Sequence, residues 1–166
     1  MIAPLATTAP TGTAGTTTGF VDLGYVSEDG VTETRERDTE DIKAWQNAAT
    51  VRTVITDASY AFQCTLIETN PATVAAFYGA TVTAGVADGT FLVIPSATGG
   101  RKSFIIDVVD GAELMRYYLP SAEITEVGDR TYASGEPIGY DVTITAYPDA
   151  TVGGSAKVWM TALKTP

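Results

Sequence analysis

The sharpest change of hydrophobic period along the chain lies in residues 59–79, SYAFQCTLIETNPATVAAFYG. In its first half Tyr60, Phe62, Cys64 and Leu66 fall on one face, and Ser59, Ala61, Gln63 and Thr65 on the other. A period of two that includes aromatic residues predicts a half-buried strand. In the second half Val74, Phe77 and Tyr78 stand at the i, i+3, i+4 spacing of a helical stripe. Asn70 suits the N-cap, Pro71 the first helical position, and Gly79 the left-handed residue that ends a helix. A helix of about two turns is unstable alone and has to lie on a sheet.

The rest of the chain reads mostly as that sheet. Phe20–Ser27 alternates and runs into Glu28-Asp29-Gly30; Asp-Gly beside an alternating run predicts a hairpin turn. Val51–Thr56 is a β-branched strand. Ala80–Ala87 and Phe91–Ile94 read as strands around Asp88-Gly89, the second stopped by Pro95. Phe104–Val109 and Ala112–Leu119 flank a second hairpin at Asp110-Gly111 that ends at Pro120. Glu123–Val127, Tyr140–Tyr147 and Lys157–Leu163 complete the set. Alternation places Glu123 and Thr125 opposite Ile124 and Glu126, and Asp141, Thr143 and Thr145 opposite Tyr140, Val142 and Ile144. The expected fold is mainly β: an antiparallel two-sheet sandwich or barrel with one short flanking α-helix, a single β domain over residues 19–166.

Two stretches break the pattern. Residues 1–18 are rich in Ala, Thr, Pro and Gly without periodicity and are expected to form a flexible N-terminal arm. Residues 33–47 are dense in charge, with Ile42 and Trp45 as their only large apolar residues, and are expected to form a long charged loop with at most a helical turn after Thr39.

Composition removes several function classes. The net charge is −10, so no phosphate backbone or anionic membrane surface is an expected binding partner. There is one Cys and no His, which removes the commonest metal ligand, the Ser/His and Cys/His dyads and any internal disulfide. The N-terminus lacks a basic region followed by an apolar run, and no apolar run approaches the roughly 20 residues of a membrane span. Synthesis in a cytoplasm is the expectation.

Candidate chemistry is sparse. The acids from Glu28 to Asp41 lack the offsets of a calcium loop and have Arg35 and Arg37 among them. Cys64 reads as a packed small hydrophobe. Glu123 and Glu126 read as a solvated pair, and Gly99-Gly100-Arg101-Lys102 lacks the phosphate-loop spacing. No catalytic residue, cofactor or metal is expected, so the chain is not read as an enzyme. Trp45 is the exception to a bland reading: a Trp in a charged loop marks an interface.

The segments GFVDLGYVSEDGVTE (19–33), DTEDIKAWQ (38–46), TLIETNPATVAAFYG (65–79), GGRKSFIIDVVDG (99–111) and YDVTITAYPD (140–149) occur in order over nearly the whole chain. In them the chain resembles the major tail tube proteins of long-tailed bacteriophages, particularly those of actinobacterial siphophages. The resemblance implies two antiparallel sheets flanked by a helix, in a virion tail protein made in the host cytoplasm. It further implies hexameric rings whose inner sheets form one barrel, stacked into a tube through which DNA leaves without specific binding. The implied partners are further copies of the chain, a tape-measure protein and tail-end proteins, with no membrane insertion.

On that basis Arg35, Arg37, Ile42, Lys43 and Trp45 are expected at subunit or ring interfaces. Glu123, Thr125, Asp141, Thr143 and Thr145 are expected to face the lumen, where carboxylates and hydroxyls repel a polyanion while staying wet. The competing reading is an acidic β-sandwich binding module of a virion or cell surface.

Overall fold

The computed structural model describes residues 1–164. Its strands are β1 (Ile2–Pro4), β2 (Val26–Lys43), β3 (Thr50–Leu66), β4 (Lys102–Asp110), β5 (Glu113–Val127), β6 (Tyr140–Ala146) and β7 (Lys157–Met160), with one α-helix, α1 (Pro71–Tyr78). All pairings are antiparallel. The strands follow one hydrogen-bonded path, β1-β4-β5-β6-β3-β2, with β7 added to β5. The path turns back over a single core: the Phe62 ring of β3 lies 5.2 Å from the Tyr117 ring of β5, although β6 intervenes in the strand order. This is the mainly β, antiparallel fold with one helix that the periodicity predicts.

The strand-to-helix unit forms as its residues require. Phe62, Cys64 and Leu66 are buried. Asn70 Oδ1 accepts from the Thr73 N–H at 2.9 Å, Pro71 opens the helix, and Gly79 closes it at φ 59°. The buried helical face is Thr73, Ala76 and Phe77, one step from the stripe expected at Val74, Phe77 and Tyr78. A hydropathy pattern cannot see this, because Thr73 is buried for its hydroxyl, which donates to the Leu23 carbonyl at 2.6 Å. Phe77 meets the edge of Tyr140 at 5.3 Å, fixing α1 against β6. Tyr140, Val142, Ile144 and Ala146 are all buried, as their alternation predicts. The Cys64 thiol is buried among apolar neighbours, and desolvation pushes its pKa up to about 11, which suits an inert packed side chain.

Several expectations are corrected. Residues 33–47 are not a long loop. Glu33–Lys43 belongs to β2 and pairs with β3 from Phe62 back to Thr50, leaving only residues 44–49 as the turn. Both faces of this strand are polar, so no alternation betrays it; the backbone ladder alone defines it. Asp29-Gly30 makes no hairpin either. Gly30 sits at φ 75° inside β2, where the register passes from Val26↔Leu66 to Val31↔Cys64 through a bulge.

Pro120 does not end its strand. β5 runs through it, and the β4–β5 register shifts there between Phe104↔Leu119 and Lys102↔Ala122. A bulge is one of the few interior sites where a strand tolerates proline. Residues 80–94 contain no strand, only an isolated bridge between Thr83 and Thr90.

The N-terminal segment is docked rather than free. Ile2 pairs with Phe104 and bridges to Val21, and the Ile105 N–H donates to the Met1 carbonyl at 3.0 Å. Arg116 reaches across to donate to the carbonyls of Gly12 at 3.2 Å and Gly15 at 2.7 Å.

Candidate assembly surfaces

Beyond the point where β6 ends, β2 and β3 continue as a bare hairpin. β6 pairs with β3 only from Ala61 to Leu66, so the edge of β3 from Thr50 to Tyr60 faces no strand among the described residues. Asp41 ties the distal part together, accepting from Thr53 at 2.7 Å and Thr50 at 3.4 Å. At the tip, the Ala44 N–H donates to the Ala49 carbonyl at 2.8 Å, and Ala48 adopts φ 52°.

The projection carries Ile42, Val51 and Ile55 exposed, and Trp45 at 98% exposure. A two-stranded hairpin with apolar residues in water on both sides is marginal by itself. Exposed aromatic and aliphatic groups at its end are the features of a surface completed by a partner.

The structure divides the five residues expected at interfaces into two groups. Arg35 and Arg37 stand near the hairpin base, where they help line a groove of about 550 Å³ facing Tyr117, Val158 and Met160. Ile42, Lys43 and Trp45 cluster at the tip, roughly 23 Å farther along at 3.3 Å per residue.

At the base is a latch that pattern reading missed. The Glu33 carboxylate accepts from the Tyr60 hydroxyl at 2.8 Å and the Tyr117 hydroxyl at 3.1 Å, tying β2 to both β3 and β5. Burial, reinforced by the bond to Glu33, pushes both phenols above the usual tyrosine range. Their contribution is therefore complete below about pH 10 and is lost only as pH rises through the higher folded values. Tyr117→Phe is expected to lower stability by about 1 kcal/mol, measured by denaturant unfolding.

The solvent face of β5, β6, β3 and β2 is a second continuous surface. Cross-strand register aligns Glu123 with Thr145 and Ala61, Thr143 with Gln63 and Thr32, and Asp141 with Thr65. Thr125 and Thr145 share a hydrogen bond at 2.7 Å, and Gln63 Nε2 donates to Asp141 at 3.4 Å. All five residues expected to line a lumen thus lie on one face.

The face is larger than its sequence signal. A register shift between Ile124 and Glu126 brings Glu126 opposite Thr143, so it joins the polar side instead of standing opposite Glu123. Along the hairpin the same face continues through Glu36 with Ser59 and Asp38 with Asp57. From Asp38 inward it carries Glu36, Asp38, Asp57, Glu123, Glu126 and Asp141, with no cation at the aligned positions. Glu123 lies at its margin, where it accepts from the Thr98 hydroxyl. Among the described residues no group of three or more His, Cys, Asp or Glu is placed to hold a metal ion.

No curated protein matches the sequence. A family model described as phage tail tube protein matches residues 1–165, which is nearly the whole chain. The antiparallel fold with its single helix agrees with that match, and the chain belongs to the phage tail tube protein family.

Proposed function

We propose that this chain is a non-enzymatic structural subunit of which six copies close into a ring, the rings stacking into the tube through which DNA leaves the capsid. The observation that carries this reading is the β2–β3 hairpin. It extends past the body with its apolar side chains uncovered, and a further copy of a self-assembling chain supplies what would cover it. Arg35, Arg37, Ile42, Lys43 and Trp45 are then contact residues between subunits or rings. Electron microscopy of the purified protein tests this directly. Rings or tubes are expected; a monomer at every concentration would remove the reading and favour an isolated binding module.

In this reading the acidic face of β5, β6, β3 and β2 lines the lumen, with Glu123, Thr125, Asp141, Thr143 and Thr145 on it and Glu126 added. A wall of carboxylates gives phosphates no cation to exchange counterions with, so DNA slides past without being held. Mutual repulsion around the ring is screened within about 8 Å at physiological salt. Asp141→Lys combined with Glu126→Lys is expected to permit assembly and to slow DNA release, measured as ejection rate from otherwise intact particles. Unchanged ejection from particles that contain the variant would place this face elsewhere. A tape-measure protein inside the tube and proteins at its two ends complete the expected partners, and the chain is expected to be made in the host cytoplasm before joining the virion tail.

A further inference from the structure

The run from Ala80 to Gly100 leaves α1 and presents an apolar surface that nothing among the described residues covers. Leu92, Val93 and Ile94 are 78%, 60% and 54% exposed. The run is nonetheless held in place. Thr83 and Thr90 exchange backbone hydrogen bonds at 2.8 and 2.9 Å, and the Phe91 ring lies 4.8 Å from Tyr78 on the helix. At the other end the chain packs so closely on Gly79 that an added Cβ there would stand 2.4 Å from the Gly99 nitrogen. Between these anchors, the backbone N–H groups of Leu92, Val93 and Ile94 meet no acceptor among the described residues. Three consecutive large apolar side chains on an anchored segment with free backbone donors are features that suit docking of another chain.

We propose that this segment receives the β2–β3 hairpin tip of a second copy, a contact that rests on the tail tube reading above. The character of the two surfaces matches: the tip offers Ile42, Trp45 and Val51, all exposed. Their charges are complementary. Residues 80–100 hold a single charge, Asp88, and the tip offers it Lys43 and Arg52, while the neighbouring Asp41 is engaged by Thr50 and Thr53. The free edge of β3 from Thr50 to Tyr60 also supplies backbone groups to which an extended 91–94 segment can add as a strand. Because donor and receptor are different surfaces of one chain, a pair joined by a single such contact still presents one free tip and one free receptor. Such a contact is heterologous and propagates into rings or filaments instead of stopping at a dimer.

Hydrogen exchange on the unmodified chain, free and assembled, tests the contact. The amides of Leu92, Val93 and Ile94 and those of the hairpin tip are expected to slow together by about tenfold or more on assembly. A chain carrying Val51→Cys and Leu92→Cys is expected to give a ladder of covalent multimers under oxidation, while either substitution alone gives none. Tubes that form with amides 92–94 still exchanging at the free-subunit rate would overturn the docking and leave the tail tube reading intact. Protection of 92–94 with no covalent ladder from the double-cysteine chain would overturn the hairpin as its occupant. A chain that is monomeric at every concentration would overturn both.

Discussion

Replacing Trp45 by alanine is expected to leave the subunit folded and to raise the concentration needed for tube growth about 30-fold. The figure follows from the roughly 2 kcal/mol that a buried aromatic anchor contributes to an interface, at 1.4 kcal/mol per factor of ten. Trp45 sits on the hairpin turn at 98% exposure, so within one subunit its indole rests on almost nothing. The turn itself is held by the Ala44–Ala49 backbone bond and an Asn47 side-chain bond to the Ala49 N–H, neither of which involves the indole. Thermal unfolding of the free variant should therefore match that of the parent, while sedimentation or light scattering reports the loss of growth. An unaltered growth threshold would show that the tip is not a contact.

Arg116→Met is expected to have the opposite signature, a loss of subunit stability of about 3 kcal/mol. Arg116 is only 7% exposed and lies directly across the β4–β5 ladder from Asp107. It holds that carboxylate with two bonds, Nε to Oδ1 at 2.6 Å and Nη2 to Oδ2 at 2.9 Å. Its remaining nitrogen, Nη1, holds the carbonyls of Gly12 and Gly15. Removal leaves a partly buried carboxylate unpaired and frees the N-terminal segment from its anchor. At this chain length the melting temperature is expected to fall by about 10 °C. Proteolysis should open within residues 5–19 before the body unfolds. Arg116→Lys should recover only part of the loss, since an ammonium cannot reproduce the planar fork. A variant that melts like the parent and resists cleavage would show that the segment is held by β1 alone.

Where one face of an element is apolar and the other polar, the sequence by itself determined most of the outcome; the exception is the alternating run from Phe20, which forms no strand before Val26, only the Val21 bridge to Ile2, and leaves Val21 and Tyr25 exposed. The strand ending at Leu66, the Asn70 and Gly79 caps and the alternation of Tyr140–Ala146 are local rules written in adjacent residues, and the structure follows them. The Asp110-Gly111 hairpin belongs with them: Gly111 takes φ 60° between the paired Asp110 and Glu113. The polar row of Asp141, Thr143 and Thr145 was legible for the same reason, as the reverse side of a buried face.

Only the tertiary structure decided the rest, because the deciding partners are far apart in the chain. Glu33–Lys43 is a strand through its ladder to β3, not through any apolar face, so its acids look like a loop until Thr50–Phe62 lies beside it. Glu126 changed sides through a bulge, and Pro120 was carried inside a strand by another. The N-terminal segment was pinned by Arg116, about a hundred residues away, a long-range bond that no periodicity encodes.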